Sequence, residues 1–232
     1  MSLSSTIQAL HHGLIVSCQA PSDSPLHDPL VIGAIAQAAV KRGAVAVRID
    51  SPDHVQAVRQ RVSVPIIGLW KQQFHGSDVY ITPQFEQAQA IATAGADIIA
   101  IDATLRHRPD GTSVTDLIQR IHQELGRAVM ADIDTIEAAI AAEQAGADLV
   151  GTTLYGYTAE TRHCTPPGFD LLAAMVERLR VPVIGEGGIS SPVMARQALQ
   201  SGAYAIVVGT AITGIDQLVS AYQTEIQPLQ PG

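Results

Sequence analysis

The sequence predicts an α/β fold: a closed (β/α)8 TIM barrel forming a single domain over residues 1–232. Three observations lead there. Gly-Ala pairs recur at Gly43-Ala44, Gly95-Ala96, Gly146-Ala147 and Gly202-Ala203, at glycine intervals of 52 (43 to 95), 51 (95 to 146) and 56 (146 to 202) residues. Each pair follows a helical run and opens an apolar strand. Such an interval holds two βα units, since one takes about 30 residues. Continuous apolar runs lie between the pairs, as strands buried on both faces require. Finally, 232 residues fill one barrel and leave little for insertions.

The first strand is Gly13-Leu14-Ile15-Val16-Ser17, and the segment 1–12 ahead of it reads as peripheral. The second opens at Gly43-Ala44, and the third is Val64-Pro65-Ile66-Ile67-Gly68. The fourth opens at Gly95-Ala96, the fifth is Ala128-Val129-Met130-Ala131, and the sixth opens at Gly146-Ala147. Val181-Pro182-Val183-Ile184-Gly185 is the seventh, and Gly202-Ala203 opens the eighth. Glycine suits the positive φ just past a helix end. Ser51-Pro52, Thr82-Pro83 and Ser191-Pro192 each place a capping hydroxyl before a proline at the first helical position. The count is eight strands and eight helices. An open, doubly wound sheet is the alternative, but it seldom shows a fourfold repeat, and no GxGxxG follows the first strand. The segment 155–168 is long enough for an active-site lid, or for a loose surface excursion. The Pro-rich tail 227–232 reads as peripheral.

Composition narrows the function. Fourteen Lys and Arg against 22 Asp and Glu give a net charge of −8, which repels nucleic acid and anionic membrane. Any positive field for an anionic substrate must therefore be local. The N-terminus has neither a basic leader nor a long apolar segment, so the expectation is a cytoplasmic protein. Cys18 and Cys164 fit no zinc or CxxC spacing, and the eight His form no HxH or HExxH pattern, so no metal is expected. The His11-His12 pair reads as a surface feature.

In such a barrel the active site lies at the C-terminal ends of the strands. These carry Gln19, Arg48, Lys71, Asp102, Asp132, Thr152 with Thr153, Glu186, and Gly209 with Thr210. An apolar barrel top would be simpler to build. Lys71 on strand three and Glu186 on strand seven stand four strands apart in a ring of eight. They face each other as a candidate acid/base pair. Asp132 could instead cap the next helix, although Asp134 or Thr135 competes for that role. Gly187-Gly188 after strand seven and Gly209-Thr210 after strand eight suit a phosphate cradle, because backbone N–H groups at helix starts bind anions.

Several of these segments resemble one family. Gly13-Leu-Ile-Val-Ser-Cys-Gln19, Ile99-Ala-Ile-Asp-Ala-Thr104 with Arg108-Pro-Asp-Gly111, and Met130-Ala-Asp132 are similar to the bacterial N-acetylmannosamine-6-phosphate 2-epimerases, the NanE family. Thr152-Thr-Leu-Tyr-Gly-Tyr-Thr158 and Val207-Val-Gly-Thr-Ala-Ile-Thr213 match as well. The resemblance runs from Gly13 to about Thr213, and its motifs fall in order at the strand ends. It implies a ribulose-phosphate-binding type of barrel and a C2 epimerase of aminosugar and sialic acid catabolism. It implies Lys71 and Glu186 as catalytic groups, with substrate contacts from Gln19, Arg48 and Asp132. Thr153 joins them by its place at a strand end. Two departures stand out: many members carry a basic residue at the position of Gly188, and Arg at the position of Gly214.

The implied chemistry removes a proton α to the aldehyde of the open-chain sugar and returns one to the other face. It requires a base of tuned pKa and stabilisation of the oxyanion, but no redox cofactor. Lys71 is expected as that base, with desolvation and Arg48 lowering its pKa. Two rivals remain: a Schiff-base sugar-phosphate aldolase acting through the same lysine, and a non-catalytic sugar-phosphate-binding barrel. The expected partners are a phosphorylated aminosugar and, in solution, a possible second copy of the chain.

Overall fold

The computed structural model describes residues 3–227. Eight parallel strands close in sequence order into a barrel, with β1 pairing to β8. They are β1 (Leu14–Cys18), β2 (Ala46–Asp50), β3 (Ile66–Leu69), β4 (Ile98–Asp102), β5 (Ala128–Asp132), β6 (Leu149–Gly151), β7 (Val183–Glu186) and β8 (Ala205–Val208). The helices are α1 (Leu3–Gln8), α2 (Pro29–Lys41), α3 (Pro52–Arg59), α4 (Phe85–Ala94), α5 (Val114–Arg120), α6 (Ile136–Gln144), α7 (Phe169–Arg178), α8 (Pro192–Gln200), α9 (Thr210–Thr213) and α10 (Ile215–Ile226). Helix α5 continues as a π-helical turn, Ile121–Leu125.

Strand periodicity places the site. Alternate residues of each strand point inward. Ile15, Ala46, Ile67, Leu69, Ile98, Ala100, Ala128, Met130, Leu149, Ile184, Ala205 and Val207 form the apolar barrel interior. The opposite faces pack under the helices in a larger cluster. Continuing the inward series in steps of two reaches Arg48 and then Asp50, Lys71, Asp102, Asp132, Glu186 and, two steps beyond Leu149, Thr153. The register sets Asp102 beside Asp132 and Glu186 beside Val207. The polar mouth is therefore the top layer of the same alternation that builds the core.

The four repeat glycines, Gly43, Gly95, Gly146 and Gly202, all have positive φ (94° to 110°) at helix ends. Of the three proposed caps only Ser191 holds, its hydroxyl accepting from the Met194 N–H. Ser51 makes no side-chain cap bond, although Pro52 does open α3. Thr82-Pro83 opens no helix: α4 starts at Phe85, and the buried Thr82 hydroxyl accepts from the Trp70 N–H instead. The residues after β3 turn back on themselves, and that turn claims Thr82.

Among the described residues ten α-helices stand where eight were expected. The N-terminal segment is not peripheral: Leu10 is fully buried in the barrel interior beneath the strands, with Ile7 packed beside it. His11 and His12 are exposed, stacked on each other, and His11 also meets the Tyr204 ring. At the other end, α10 has no buried residue, and Ile215, Leu218, Val219, Tyr222 and Ile226 leave an exposed apolar stripe along it. The tail from 228 onward lies outside the described residues. Among those described, no helix is long and apolar enough to cross a membrane.

Candidate active site

Arg48 is the centre of the mouth. It projects from the middle of β2 and is 2% exposed. Its Nη1 and Nη2 donate to Asp132 Oδ1 (3.0 Å) and Oδ2 (2.5 Å), a two-pronged pair across the barrel. Nη1 also donates to Glu186 Oε2 at 3.0 Å. Burial opposes the guanidinium charge, but Asp132 and then Glu186 outweigh it and hold the group above its ordinary pKa. Asp132 is fully buried and does not cap α6: Thr135 does, while Asp134 accepts from the Thr158 hydroxyl.

Glu186 completes the cluster around Arg48. Burial pushes its carboxyl up to about 7, against the attraction of Arg48 and with the repulsion of Asp132 assisting. The Thr153 hydroxyl lies 2.7 Å from Asp132 Oδ1 and 3.0 Å from Glu186 Oε2. The hydroxyl proton is shared between the two carboxyls, and its bond to Glu186 favours that group's ionised form against burial. The Thr152 hydroxyl fixes the Glu186 backbone, donating to its carbonyl (2.7 Å) and accepting from its N–H (3.0 Å). A carboxyl held near 7 can both give and take a proton at neutral pH.

Lys71 stands just beyond β3. Its ammonium donates to Gln19 Oε1 at 2.5 Å and lies 3.8 Å from Asp50 Oδ2, while its backbone N–H donates to Asp50 Oδ1 at 3.0 Å. The side chain is 44% exposed, so the expected desolvation is absent. Arg48 is also not a free cation acting on Lys71, since two carboxylates take its charge. Lys71 and Glu186 do not touch, but both line one cavity of about 580 Å³ with Gln19, Arg48, Tyr80 and Thr153. A second lobe of about 720 Å³ joins it at Gln19, Lys71 and Gly209.

Gly187, Gly188, Gly209 and Thr210 line the 580 Å³ cavity together with Ser190. The two departures from the family pattern have packing causes. Gly188 has φ 68°, and a Cβ there would lie 2.5 Å from Pro166 Cβ and 2.7 Å from its carbonyl carbon. A Cβ at Gly214 would lie 2.8 Å from Thr210 Cα. The 155–168 segment is neither loose nor detached. Thr158 is tied to Asp134 and Thr161, Gly156 N–H donates to the Thr161 hydroxyl, and Tyr157 reaches the cavity wall.

Two residues escaped the sequence reading. Asp50 lies two positions after Arg48 on β2, so strand alternation was the signal that could have found it. Tyr80 lines both lobes, and burial, then Asp132 and Asp102, raise its phenol pKa, leaving it a proton donor at neutral pH. It arrives by the turn after β3, and no motif announces it. Asp102 lines neither lobe and pairs with Arg106 at 2.6 Å. Among the described residues no group of three or more His, Cys, Asp or Glu is gathered as a metal cage.

Fold and site together define a (β/α)8-barrel protein with an acid–base cluster closed around a buried arginine at its mouth. Residues 32–228 match the family model described as "NanE: Putative N-acetylmannosamine-6-phosphate epimerase". The chain belongs to this NanE family. A Synechococcus elongatus relative named "Putative N-acetylmannosamine-6-phosphate 2-epimerase" is 63% identical over 222 residues, covering 95% of this chain and 96% of the relative. A relative of the same name from Caldanaerobacter subterraneus is 43% identical, covering 95% and 94%. The solved N-acetylmannosamine-6-phosphate 2-epimerase from Clostridium perfringens superimposes with a TM-score of 0.90 at 39% identity, over 94% of this chain and 95% of that one. Thiamine phosphate pyrophosphorylase from Pyrococcus furiosus shares the fold alone, with a TM-score of 0.59 at 18% identity over 92% and 93% of the two chains.

Proposed function

We propose that this chain is a carbohydrate epimerase that inverts C2 of N-acetylmannosamine 6-phosphate to give N-acetylglucosamine 6-phosphate, a step of aminosugar and sialic acid catabolism. Full-length similarity to relatives of that name carries the substrate. The observation supporting the chemistry is that Lys71 and Glu186 line one cavity from opposite sides of the barrel. Lys71 takes the C2 proton of the open-chain sugar. The electrons pass to the aldehyde oxygen, giving an enolate; the Lys71 ammonium formed in that step then gives a proton to the opposite face once the enolate has turned, which inverts the centre and restores the amine. Glu186 handles the proton at the sugar oxygens as the ring opens and the enolate oxygen charges. Arg48 and Asp132 hold Glu186 in place, and Gln19 and Thr153 complete the polar wall against the sugar.

The turns at Gly187-Gly188 and Gly209-Thr210 offer backbone N–H groups to the 6-phosphate. No cofactor takes part in this scheme, because the acidity of a C2 proton α to an aldehyde needs only a base and oxyanion donors. The enzyme works as one barrel domain in the cytoplasm, where a phosphate dianion that cannot cross a bilayer is retained. It binds neither nucleic acid nor membrane, in keeping with its net charge of −8. The apolar stripe of α10 supports a homodimer formed through that helix, which sedimentation of Tyr222→Glu against wild type tests.

Proton NMR of the substrate with the protein in D2O tests the reaction. The expected result is loss of the C2 proton signal together with appearance of the gluco epimer. Borohydride trapping of a substrate–Lys71 adduct would point to the aldolase instead, and binding without exchange to a non-catalytic barrel.

A further inference from the structure

After β3 the chain folds into a short hairpin. Lys71 bridges Ile81 and Phe74 bridges Ser77 in antiparallel sense. Gln72 N–H donates to the Tyr80 carbonyl and Thr82 N–H to the Trp70 carbonyl, both at 2.9 Å. The outgoing arm carries Lys71. Because that side chain is almost half exposed, packing does not fix it; its ties to Gln19 and Asp50 and the backbone beneath it do.

The loop after β4 grips the returning arm at successive points. Arg106 Nη1 donates to the Asp78 carbonyl (2.8 Å), and the Ser77 hydroxyl donates to the His107 carbonyl (3.1 Å). Arg108 Nη1 donates to the carbonyls of Pro83 (3.0 Å) and Thr82 (3.4 Å). Its Nη2 donates to the carbonyl of Asp102, the last residue of β4. One guanidinium thus ties the hairpin to a barrel strand. Thr82 passes the restraint across: it is fully buried, sits at φ 45°, and its hydroxyl accepts at 3.1 Å from the N–H of Trp70, the residue before Lys71.

Arg108 is 5% exposed, and its hydrogen bonds run to carbonyls, with no carboxylate among them. Its Nε has no partner among the described residues. Burial pushes its pKa down to about 10. Asp102 and Asp110 oppose that shift without outweighing it, and a buried cation so incompletely compensated is a poor source of stability. What it secures is the path of the hairpin.

We propose that Arg108, acting through Thr82, is a positioning residue that sets the place of the Lys71 amine against the sugar. This rests on Lys71 as the proton carrier. A displacement of about 1 Å at a reacting group can cost about 10²-fold. The test compares Arg108→Met, Arg108→Lys, Thr82→Val and Thr82→Ser, at a temperature where circular dichroism shows them folded. For Arg108→Met and Thr82→Val, kcat falls about 10–10²-fold, while KM stays near wild type because the phosphate turns lie on β7 and β8. Arg108→Lys recovers part of the loss, and Thr82→Ser, which keeps the hydroxyl, most of it. Wild-type kcat in folded Arg108→Met or Thr82→Val overturns the proposal, as does a loss carried by KM. If Arg108→Met fails to fold, the Thr82 pair decides on the same criteria. Lys71→Ala, run alongside, separates the two levels: an inactive Lys71→Ala beside a fully active Thr82→Val removes the clasp and leaves the lysine's role intact.

Discussion

Replacing Arg48 with methionine removes the one charge that Asp132 and Glu186 share. Asp132 is fully buried and Glu186 is 11% exposed, so neither recovers much hydration when the guanidinium leaves. Deleting one partner of a buried pair costs about 3–5 kcal/mol. An unfolding entropy of about 2.1 cal/mol/K per residue, over this chain length, gives about 0.5 kcal/mol/K, so Tm falls by about 6–10 °C. The loss also depends on pH. Arg48 is the strongest influence holding the Glu186 carboxyl down against burial. Without it, Glu186 titrates above about 7 and takes up a proton, which relieves the uncompensated charge. The variant should therefore lose more stability relative to wild type at pH 8 than at pH 6. Calorimetric melts at the two pH values measure this. An unchanged Tm, or a larger loss at pH 6, would refute the reasoning.

Other outcomes follow from the same geometry. Because the folded Glu186 carboxyl sits near 7, above the ordinary carboxylate pKa of about 4.3, the folded state binds more protons than the unfolded state between those values. Stability then declines as pH rises through this window. Glu186→Gln should flatten that decline between pH 5 and 8, and a Gln variant as pH-sensitive as wild type would contradict the assignment. Gly188→Ala, forced to φ 68° against Pro166, should lose about 1–3 kcal/mol and raise KM for the phosphorylated sugar. A melt and a KM both equal to wild type would remove Gly188 from the phosphate site. Exhaustive chelation should leave kcat unchanged; activity lost and restored by one divalent ion would show a metal requirement.

The barrel was legible because its cause is local. Glycines past helix ends and apolar strand runs need no knowledge of distant contacts, and strand alternation carries that pattern up to Arg48, Asp132, Thr153 and Glu186. Partnerships were not legible. Arg48 was read as a cation acting on Lys71, whereas Asp132 and Glu186 across the barrel neutralise it. Thr82-Pro83 carries the local signature of a cap, but a tertiary turn outcompetes it. Leu10 lies outside any strand, and only closure of the barrel creates the space that it fills. The apolar stripe of α10 is an ordinary amphipathic pattern in sequence, and its lack of cover appears only in three dimensions.

Exchange in D2O shows whether Lys71 carries the C2 proton. Lys71→Ala removes a mouth residue with little packing, so the fold and melt should stay close to wild type. Loss of a positioned base should lower kcat by about 10²–10⁴-fold, and deuterium should no longer enter C2. Lys71→Arg should be almost as inactive, because a guanidinium stays protonated and cannot act as a base. Folded Lys71→Ala that exchanges the C2 proton at a rate near wild type would contradict the claim, and Glu186 would then become the base.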